Sequence, residues 1–481
     1  MILNKEQAIF KAERSFAEMV QFVTESAREG KPIDEVEREL WQRLRNTGRG
    51  FLQGYVEMQG NGDLGATLEY EGRTARRLEG VKTRRYVSVF GELEIKRCVY
   101  GTREFQKHEV IPLDARLSLP ESEFSCLLQE WDQAFCVQGS YEASRGTVER
   151  ILGIGQPVRT LERMNQAMAG DVEGYRAQRP KPEPVQEGEI LVLTADGKGV
   201  PMRRSEAGPG KKRQACVGSV YTIDPFPRTS ADVVNEILRK ETQKERPTPR
   251  EKQLRAELTR TVEGEEVNGK EAIFQWFQAE LEQRNLGDET PVICVMDGER
   301  ALWTRLKDHV KKVVCILDIF HVLQRLWTAA ECFCEPESEE AREFVTDRLF
   351  RILEGDVGRV IGGLKQMATK KNVKGTRKER LEKVIGYLHN NRDKMRYHEY
   401  LKAGYPIGSG VAEGACRHLV KDRMELTGMR WQVEGAQAML DLRAVYLNGE
   451  WDQLQQYRAA SHQSRLYPYR EMVNTAWPVA A

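Results

Sequence analysis

Apolar residues recur at helical steps at the start of the chain. Phe16, Met19, Val20 and Val23 keep this spacing, and a second helical pattern covers about 33–58. The glycine- and charge-rich segment 60–80 has no such pattern and is predicted to be a linker. Together these features predict an N-terminal helical region over residues 1–80.

A period of two replaces the helical period after residue 84. Apolar and polar residues alternate from 84 to 112, with Gly91 at the centre, which predicts two strands and a turn. We therefore expect a small β-hairpin unit over residues 84–120.

Helical spacing returns in the segment 121–176. A helix over 141–152 is followed by the turn Gly153-Ile-Gly-Gln and a second helix from Pro157, a residue suited to a first helical position. A helix, a glycine-containing turn and a helix are typical of a helix-turn-helix. Arg159 and Arg163 share a face of the second helix and would reach a DNA major groove. A plain helical hairpin would give the same pattern.

The proline-rich segment 177–187 marks a predicted domain boundary. After it, short apolar runs alternate with helical patterns, which predicts an α/β sheet. The predicted strands are 190–196, 214–223, 291–297 and 312–318, with a charged, mostly helical stretch at 232–285 and a helix at 299–310. The expected domains are 188–321 for the first part of the α/β domain, 322–403 for a helical insertion, 404–455 for a C-terminal helical region and 456–481 for a tail.

Composition places the chain among ordinary folded proteins. It has 481 residues, 40% of them hydrophobic and 31% charged, with a net charge of +1, so DNA binding would depend on local basic patches. Such patches lie at 73–85, 203–213 and 370–383, and Arg203, Arg204, Lys212 and Arg213 are predicted DNA contacts in the second.

Nine scattered cysteines without a Cys-x-x-Cys pair indicate no zinc site. With no apolar run of transmembrane length, we expect a cytoplasmic, nucleoid-associated protein without a membrane partner.

Three carboxylates form the candidate metal site. Asp196 and Asp297 each end an apolar run, and Glu413 follows Gly408-Ser-Gly at the start of a helical pattern. Carboxylates from two strands and a helix can hold a pair of Mg²⁺ ions, as in nucleases and transposases with an RNase H-like core. Arg417 and Lys421 follow Glu413 at steps of four and would meet phosphate oxygens, and Arg423 and Arg430 are further predicted DNA contacts.

A second aspartate competes with Asp297. Asp318 also ends an apolar run, and His321 follows three residues later, so this pair could bind a metal or position a phosphate. We prefer Asp297 because it fits the strand after the first crossover, whereas Asp318 would lie on the next strand.

Four segments carry a resemblance to a known family. Asp196-Gly-Lys-Gly-Val-Pro-Met, Asp297-Gly-Glu-Arg-Ala-Leu-Trp, Leu317-Asp-Ile-Phe-His-Val-Leu and the block 405–431 resemble ISKra-type bacterial insertion-sequence transposases. The resemblance covers about residues 84–455. It implies a DDE transposase with an RNase H-like catalytic domain, an all-helical insertion and a metal-binding triad of Asp196, Asp297 and Glu413 that holds Mg²⁺ or Mn²⁺. Some related proteins carry a cysteine-paired ribbon, but Cys98 has no partner nearby in sequence, which argues against zinc here.

The expected activity is therefore DNA transposition. The chain would bind terminal inverted repeats, cleave a strand at each element end and join the freed 3′ hydroxyl to target DNA, as a homodimer or higher homo-oligomer. The alternative is a transposase-derived DNA-binding regulator without catalysis. The presence of all three acids favours the first hypothesis.

Overall fold

The computed structural model describes residues 2–477 except 71, 102–109, 205–211, 239–244, 263, 285–286 and 288. The chain divides into two compact units. Unit 1 consists of Met1–Asp171 and Trp451–Ala481, and unit 2 consists of Val172–Glu450. The fold is mixed α/β, as the sequence predicts.

The helices in chain order are α1 Ile2–Glu29, α2 Ile33–Met58, α3 Pro112–Leu117, α4 Cys126–Cys136, α5 Tyr141–Leu152, α6 Val158–Ala169, α7 Val172–Gln178, α8 Ser230–Ile237, α9 Gly269–Arg284, α10 Arg300–His309, α11 Ile319–Ala330, α12 Glu339–Leu353, α13 Val357–Lys370, α14 Gly375–Asn390, α15 Tyr397–Lys402, α16 Gly410–Ala415, α17 Asp422–Met424, α18 Val433–Leu447, α19 Trp451–Leu466 and α20 Arg470–Ala476. The strands are β1 Thr67–Tyr70, β2 Arg73–Arg77, β3 Lys82–Ser88, β4 Gly91–Arg97, β5 Tyr100–Gly101, β6 Ile190–Pro201, β7 Lys212–Ile223, β8 Arg250–Leu258, β9 Arg260–Val262, β10 Glu265–Val267, β11 Val292–Met296 and β12 Val314–Leu317. A π-helical turn, Cys416–Lys421, separates α16 from α17.

Unit 2 is organised around a five-stranded mixed sheet. Its strand order is β12-β11-β6-β7-β8. The long strands β6, β7 and β8 are antiparallel to one another, whereas β11 and β12 run parallel to β6. Helix α10 connects the parallel strands β11 and β12, as a parallel crossover requires.

Alternating residues of the sheet face two separate apolar cores. Ile190 and Val192 of β6 pack with residues of α11 to α15, whereas Leu191 and Leu193 pack with residues of α9 and α10. Both faces are covered, which is why β6 and β11 are almost continuously apolar in sequence. The segment 322–403, predicted to be a helical insertion, contains most of α11 and all of α12 to α15, and these helices cover one sheet face.

Unit 1 contains the N-terminal helical hairpin, small β-sheets and the helices α3 to α6, α19 and α20. The predicted hairpin near Gly91 is present, with Ser88 paired to Gly91 across the turn between β3 and β4. Cys98 is buried in an apolar cluster with Leu68 and Tyr100.

Three of the predicted assignments are wrong in the structure. The supposed linker within 1–80 holds the antiparallel pair β1–β2, joined by Gly72 at φ +69°. The stretch 232–285 includes strand β8, whose many charged residues hide its sheet pairing in the sequence. The predicted tail 456–481 contains most of α19 and all of α20, and Val473 is fully buried in unit 1.

Candidate active site

The pairing of β6 with β11 places the two predicted strand aspartates side by side. Ala195 lies opposite Met296 in the parallel register, so Asp196 and Asp297 occupy the next positions of neighbouring strands. By the two-residue period of a strand, both side chains lie on the sheet face covered by α11 to α15. Both aspartates are half-buried.

The structure holds Asp297 in place through hydrogen bonds on both sides. Its Oδ1 accepts from the Glu299 N–H at 2.8 Å, and its backbone oxygen accepts from the Trp303 indole at 2.7 Å. The adjoining Gly298 lies under Tyr387, and a Cβ at that position would lie 2.3 Å from the ring, so only glycine fits. Burial raises the pKa of Asp297 and the charge of Asp196 raises it further, against the opposing effects of the Glu299 N–H and His321.

Asp196 has a neighbour that sequence reasoning missed. Its Oδ1 accepts from the Gly197 N–H at 2.7 Å, and its Oδ2 accepts from the Cys416 thiol at 3.5 Å. Burial, and then the charge of Asp196, raise the pKa of Cys416, so the thiol stays protonated and can donate. The motif around Glu413 contained Cys416, but no local pattern indicated that it would meet Asp196.

Glu413 lies in the first turn of α16 and is exposed. Its backbone N–H donates to the Ser409 carbonyl at 2.9 Å. Burial raises the pKa of Glu413, and the negative charges of Asp318 and Asp196 raise it further, whereas His321 opposes them. The charges of Asp318 and Asp196 therefore both act on Glu413.

Asp318 has a bonding pattern typical of a helix cap. It is completely buried at the N-terminus of α11, where its Oδ1 accepts from the Phe320 N–H at 2.8 Å and its Oδ2 accepts from the Ser409 hydroxyl. Ile319 N–H also donates to the Ile407 carbonyl at 2.9 Å. These bonds tie the end of β12 to the turn that leads into Glu413, so both Asp318 oxygens have partners within the protein.

The helix that carries Glu413 is not a regular α-helix. The π-helical turn over Cys416–Lys421 widens the helix, so the predicted face of Glu413, Arg417 and Lys421 at steps of four is not a straight row. All three residues are exposed. Arg417 lies 3.4 Å from the Asp422 carboxylate in a solvent-exposed pair, which contributes little to stability.

Two predicted DNA contacts have partners within the protein. Arg423 is 0% exposed, and its guanidinium lies 5.1 Å from the centre of the Trp431 ring. Arg213 is half-buried and donates to the Thr259 carbonyl at 3.2 Å. Burial removes Arg423 from the surface, so the prediction that it contacts DNA is wrong. Arg213 keeps a partly exposed side chain, and its contact with DNA stays a prediction.

The remaining predicted basic residues of unit 2 are at the surface. Arg203, Arg204 and Arg430 are exposed, and the exposed Lys212 pairs with the half-buried Glu425 at 2.6 Å. Backbone bonds join the two segments, because Trp431 N–H donates to the Pro201 carbonyl and Arg203 N–H donates to the Trp431 carbonyl. Residues 205–211, which include Lys211, lie outside the described residues.

Three other acidic residues, outside the predicted triad, bring their carboxylate oxygens close together. Ligand oxygens of Glu173, Glu257 and Asp441 all lie within 4.8 Å of one another, whereas the predicted triad forms no group of this kind in the described part of the chain. Arg176 lies 2.5 Å from Glu173 and 3.1 Å from Asp441, and Arg255 lies 2.8 Å from Glu257. These arginines neutralise the group, which makes it a salt-bridge network joining α7, β8 and α18.

In unit 1, the predicted DNA-reading segment forms three mutually packed helices, α4, α5 and α6. Arg159 and Arg163 are exposed on α6, whereas Leu161, Met164 and Met168 are buried against the other helices. The αL conformation of Gly153 ends α5 at φ +62°. The two arginines are therefore presented to solvent on one face of α6.

Asp132 of α4 is an unusual charge at the centre of these three helices. It is 0% exposed, its Oδ2 accepts from the Gln156 amide at 2.7 Å, and its Oδ1 has no hydrogen-bond partner among the described residues. Burial raises the pKa of Asp132 to about 7, against the opposing effect of Gln156.

We expect Asp132→Asn to stabilise the protein at pH 8. The pKa of Asp132 is higher in the folded state than in the unfolded state, so a proton on Asp132 stabilises the wild-type fold at low pH. The wild type loses this contribution as pH rises toward 7, whereas asparagine carries no charge at either pH. The loss amounts to about 1.4 kcal/mol per pH unit, or a few kcal/mol in all. Urea unfolding at pH 5 and pH 8 should show a flatter pH dependence for Asp132→Asn, whereas the exposed control Asp34→Asn should follow the wild type. Parallel curves for all three proteins would contradict this.

No family model matches the chain, and no curated protein matches it. Among solved structures, it is similar to the Drosophila P element transposase strand transfer complex, with 10% identity over 73% of this chain and 82% of that chain, at a TM-score of 0.24. No described helix is long and apolar enough to cross a membrane.

Proposed function

We propose that the chain is a DNA transposase with an RNase H-like core and a catalytic triad of Asp196, Asp297 and Glu413. The observation that carries the proposal is the register of β6 and β11, which places Asp196 beside Asp297. Glu413 lies near enough for the charge of Asp196 to raise its pKa. The sheet supports the proposal through its order, with three antiparallel strands followed by two parallel strands.

The donor chemistry fits a hard divalent cation. The three side chains offer only carboxylate oxygens, the ligands that Mg²⁺ and Mn²⁺ prefer. The charge of Asp196 raises the pKa of both Asp297 and Glu413, and a bound cation would relieve this repulsion. We propose two cations, and they would be held by Asp196, Asp297 and Glu413. Bound there, such ions activate an attacking oxygen and stabilise the leaving oxygen of a phosphodiester.

The residues around the triad have positioning roles in this proposal. Asp318 would fix the turn before Glu413 through Ser409, and Cys416 would orient the Asp196 carboxylate through its thiol. Gly408 lies against Phe320, where a Cβ would be 2.8 Å from the ring, so the turn can approach the start of α11. His321 is half-buried beside the acids and could balance their charge or meet a phosphate.

The test is cleavage of DNA taken from either side of the protein's own reading frame, where the ends of an insertion sequence lie. We expect strand cleavage at these ends with Mg²⁺ or Mn²⁺, and no cleavage with a chelator. Selective binding to the ends without cleavage would instead support the regulator alternative. Absence of both binding and cleavage would contradict each hypothesis.

The exposed cations after Glu413 are proposed to contact phosphates. The double variant Arg417→Ala with Lys421→Ala should weaken DNA binding equally for different sequences, because phosphates carry no sequence information. It should also reduce the slope of log affinity against log salt by about two.

Titration of fluorescent duplexes at several salt concentrations measures this slope. The matched control is Arg359→Ala with Lys365→Ala, which removes one exposed arginine and one exposed lysine from α13. A wild-type slope in the Arg417/Lys421 variant would show that these cations do not touch DNA.

A further inference from the structure

The two N-terminal helices expose large apolar side chains in a regular order. In α2, exposed apolar residues alternate in steps of three and four, interrupted only by Gly48. In α1, a shorter series of exposed apolar residues follows the same steps of three and four. The residues are Trp41, Leu44, Phe51, Tyr55 and Met58 of α2 and Phe16, Val20, Val23 and Ala27 of α1. This heptad spacing is typical of a coiled-coil seam.

These stripes are distinct from the seam that joins the two helices. Less exposed residues such as Met19 and Ser26 in α1, and Leu40 and Thr47 in α2, lie one position earlier in the same repeat. The contact between α1 and α2 includes the Arg43 guanidinium, which lies 4.6 Å from the centre of the Phe22 ring. The hairpin is therefore held together by one seam. It leaves the second seam uncovered except at two positions of α2, where the Trp41 indole donates to the Ile151 carbonyl at 2.8 Å and Phe90 lies against Gly48.

The two uncovered stripes lie on the same side of the hairpin. A one-residue step turns about 100° around a helix axis, and the turn at Gly30 makes the two helices antiparallel. In each helix the exposed stripe lies one residue after the seam that joins the two helices. Because the helices are antiparallel, this equal offset turns both stripes toward the same side of the hairpin. The opposite flank of α2 is occupied, since Gln53 donates to the Glu94 carbonyl at 3.1 Å and Val56 packs with Ile95.

The size and charge of this apolar face indicate its occupant. Its large side chains are about half exposed and leave on the order of 800 Å² per copy, the area that a standard interface buries on each partner. The same heptad positions carry Glu13 and Glu37 but no lysine or arginine. A lipid surface or a nucleic acid would require cations there.

We propose that this face binds the same face of a second copy of the chain, forming a four-helix bundle. Two flat helical layers with heptad stripes are self-complementary under twofold symmetry, which buries each stripe against its copy. The proposal concerns the free protein and is independent of the catalytic assignment.

The test is sedimentation equilibrium of the full chain without DNA at about 1–20 μM. The wild type is expected to be a dimer, and Phe16→Asp with Phe51→Asp should raise its dissociation constant at least about 100-fold because carboxylates would be buried at the seam. The control Val185→Asp with Phe350→Asp, two exposed apolar residues outside the hairpin, should remain dimeric.

A charge-reversal experiment separates loss of the interface from misfolding. A second variant, Phe16→Lys with Phe51→Lys, should also be monomeric alone, and an equimolar mixture of the Asp and Lys variants should recover the dimer. A monomeric wild type would overturn the proposal and assign the face to another partner. A dimeric Asp variant, or no recovery by two folded variants, would also overturn it.

Discussion

Replacing Asp297 by asparagine is expected to reduce metal-dependent cleavage by at least about 10³-fold while changing DNA binding little. The amide keeps the acceptor for the Glu299 N–H but removes the charge that would hold a cation. Asp196→Asn and Glu413→Gln should have the same effect for the same reason. Single-turnover cleavage rates, with affinities from gel shift, separate the loss of chemistry from a loss of binding.

Asp318→Asn is the matched comparison. The amide oxygen can still accept from the Phe320 N–H, and the amide NH₂ can donate to the Ser409 hydroxyl oxygen, so we expect a cleavage rate much closer to the wild type. Asp318→Ala should instead lower the unfolding temperature, since it leaves buried partners of the cap unsatisfied. If Asp318→Asn is inactive and Asp297→Asn cleaves normally, the assignment of the second ligand is wrong.

Loss of Arg159 and Arg163 is expected to remove selective recognition of element ends. Both are exposed on α6, and each arginine that pairs with a base contributes about 1–3 kcal/mol. The double alanine variant should therefore bind end DNA about 10²- to 10⁴-fold less tightly, with a much smaller loss for unrelated DNA. Competition binding with end and unrelated duplexes at one salt concentration measures the ratio.

The control for this prediction is Arg150→Ala, which removes an exposed arginine from the preceding helix. Equal weakening on all sequences would mean that α6 touches only phosphates. Unchanged binding would place recognition elsewhere, with the basic segment 370–383 as the next candidate. The experiment needs the full chain, because Tyr467, Tyr469 and Val473 complete the core of unit 1 and a 1–176 fragment lacks them.

The sequence by itself determined the elements whose burial is locally periodic. Strands β6, β11 and β12 are short apolar runs because both sheet faces are covered, and the helices of 319–402 follow the helical period. It also singled out Asp196, Asp297 and Glu413, because a carboxylate at the end of a buried strand or at a glycine-rich helix start stands out from its surroundings. The catalytic role of these residues and the helix-turn-helix remain predictions.

Other features depend on residues far apart in the chain. Strand β8 is too charged to be recognised alone, and its pairing with β7 defines it. The proximity of Asp196 to Asp297 depends on the register of β6 and β11, since a slip of one residue would turn a side chain to the other face. Asp318 and Asp297 look alike in sequence, but only Asp318 meets the Ser409 hydroxyl.

The basic residues show the same limit. Arg417 and Arg423 lie six positions apart in one motif, yet the first is exposed and the second is buried against Trp431. Arg417 lies within the π-helical turn, whereas Arg423 lies in α17, which follows this turn and packs against the next segment at Trp431. Charge and hydrophobicity are properties of single residues and can be read locally, whereas burial, register and hydrogen-bond partners are set by which segments meet in three dimensions.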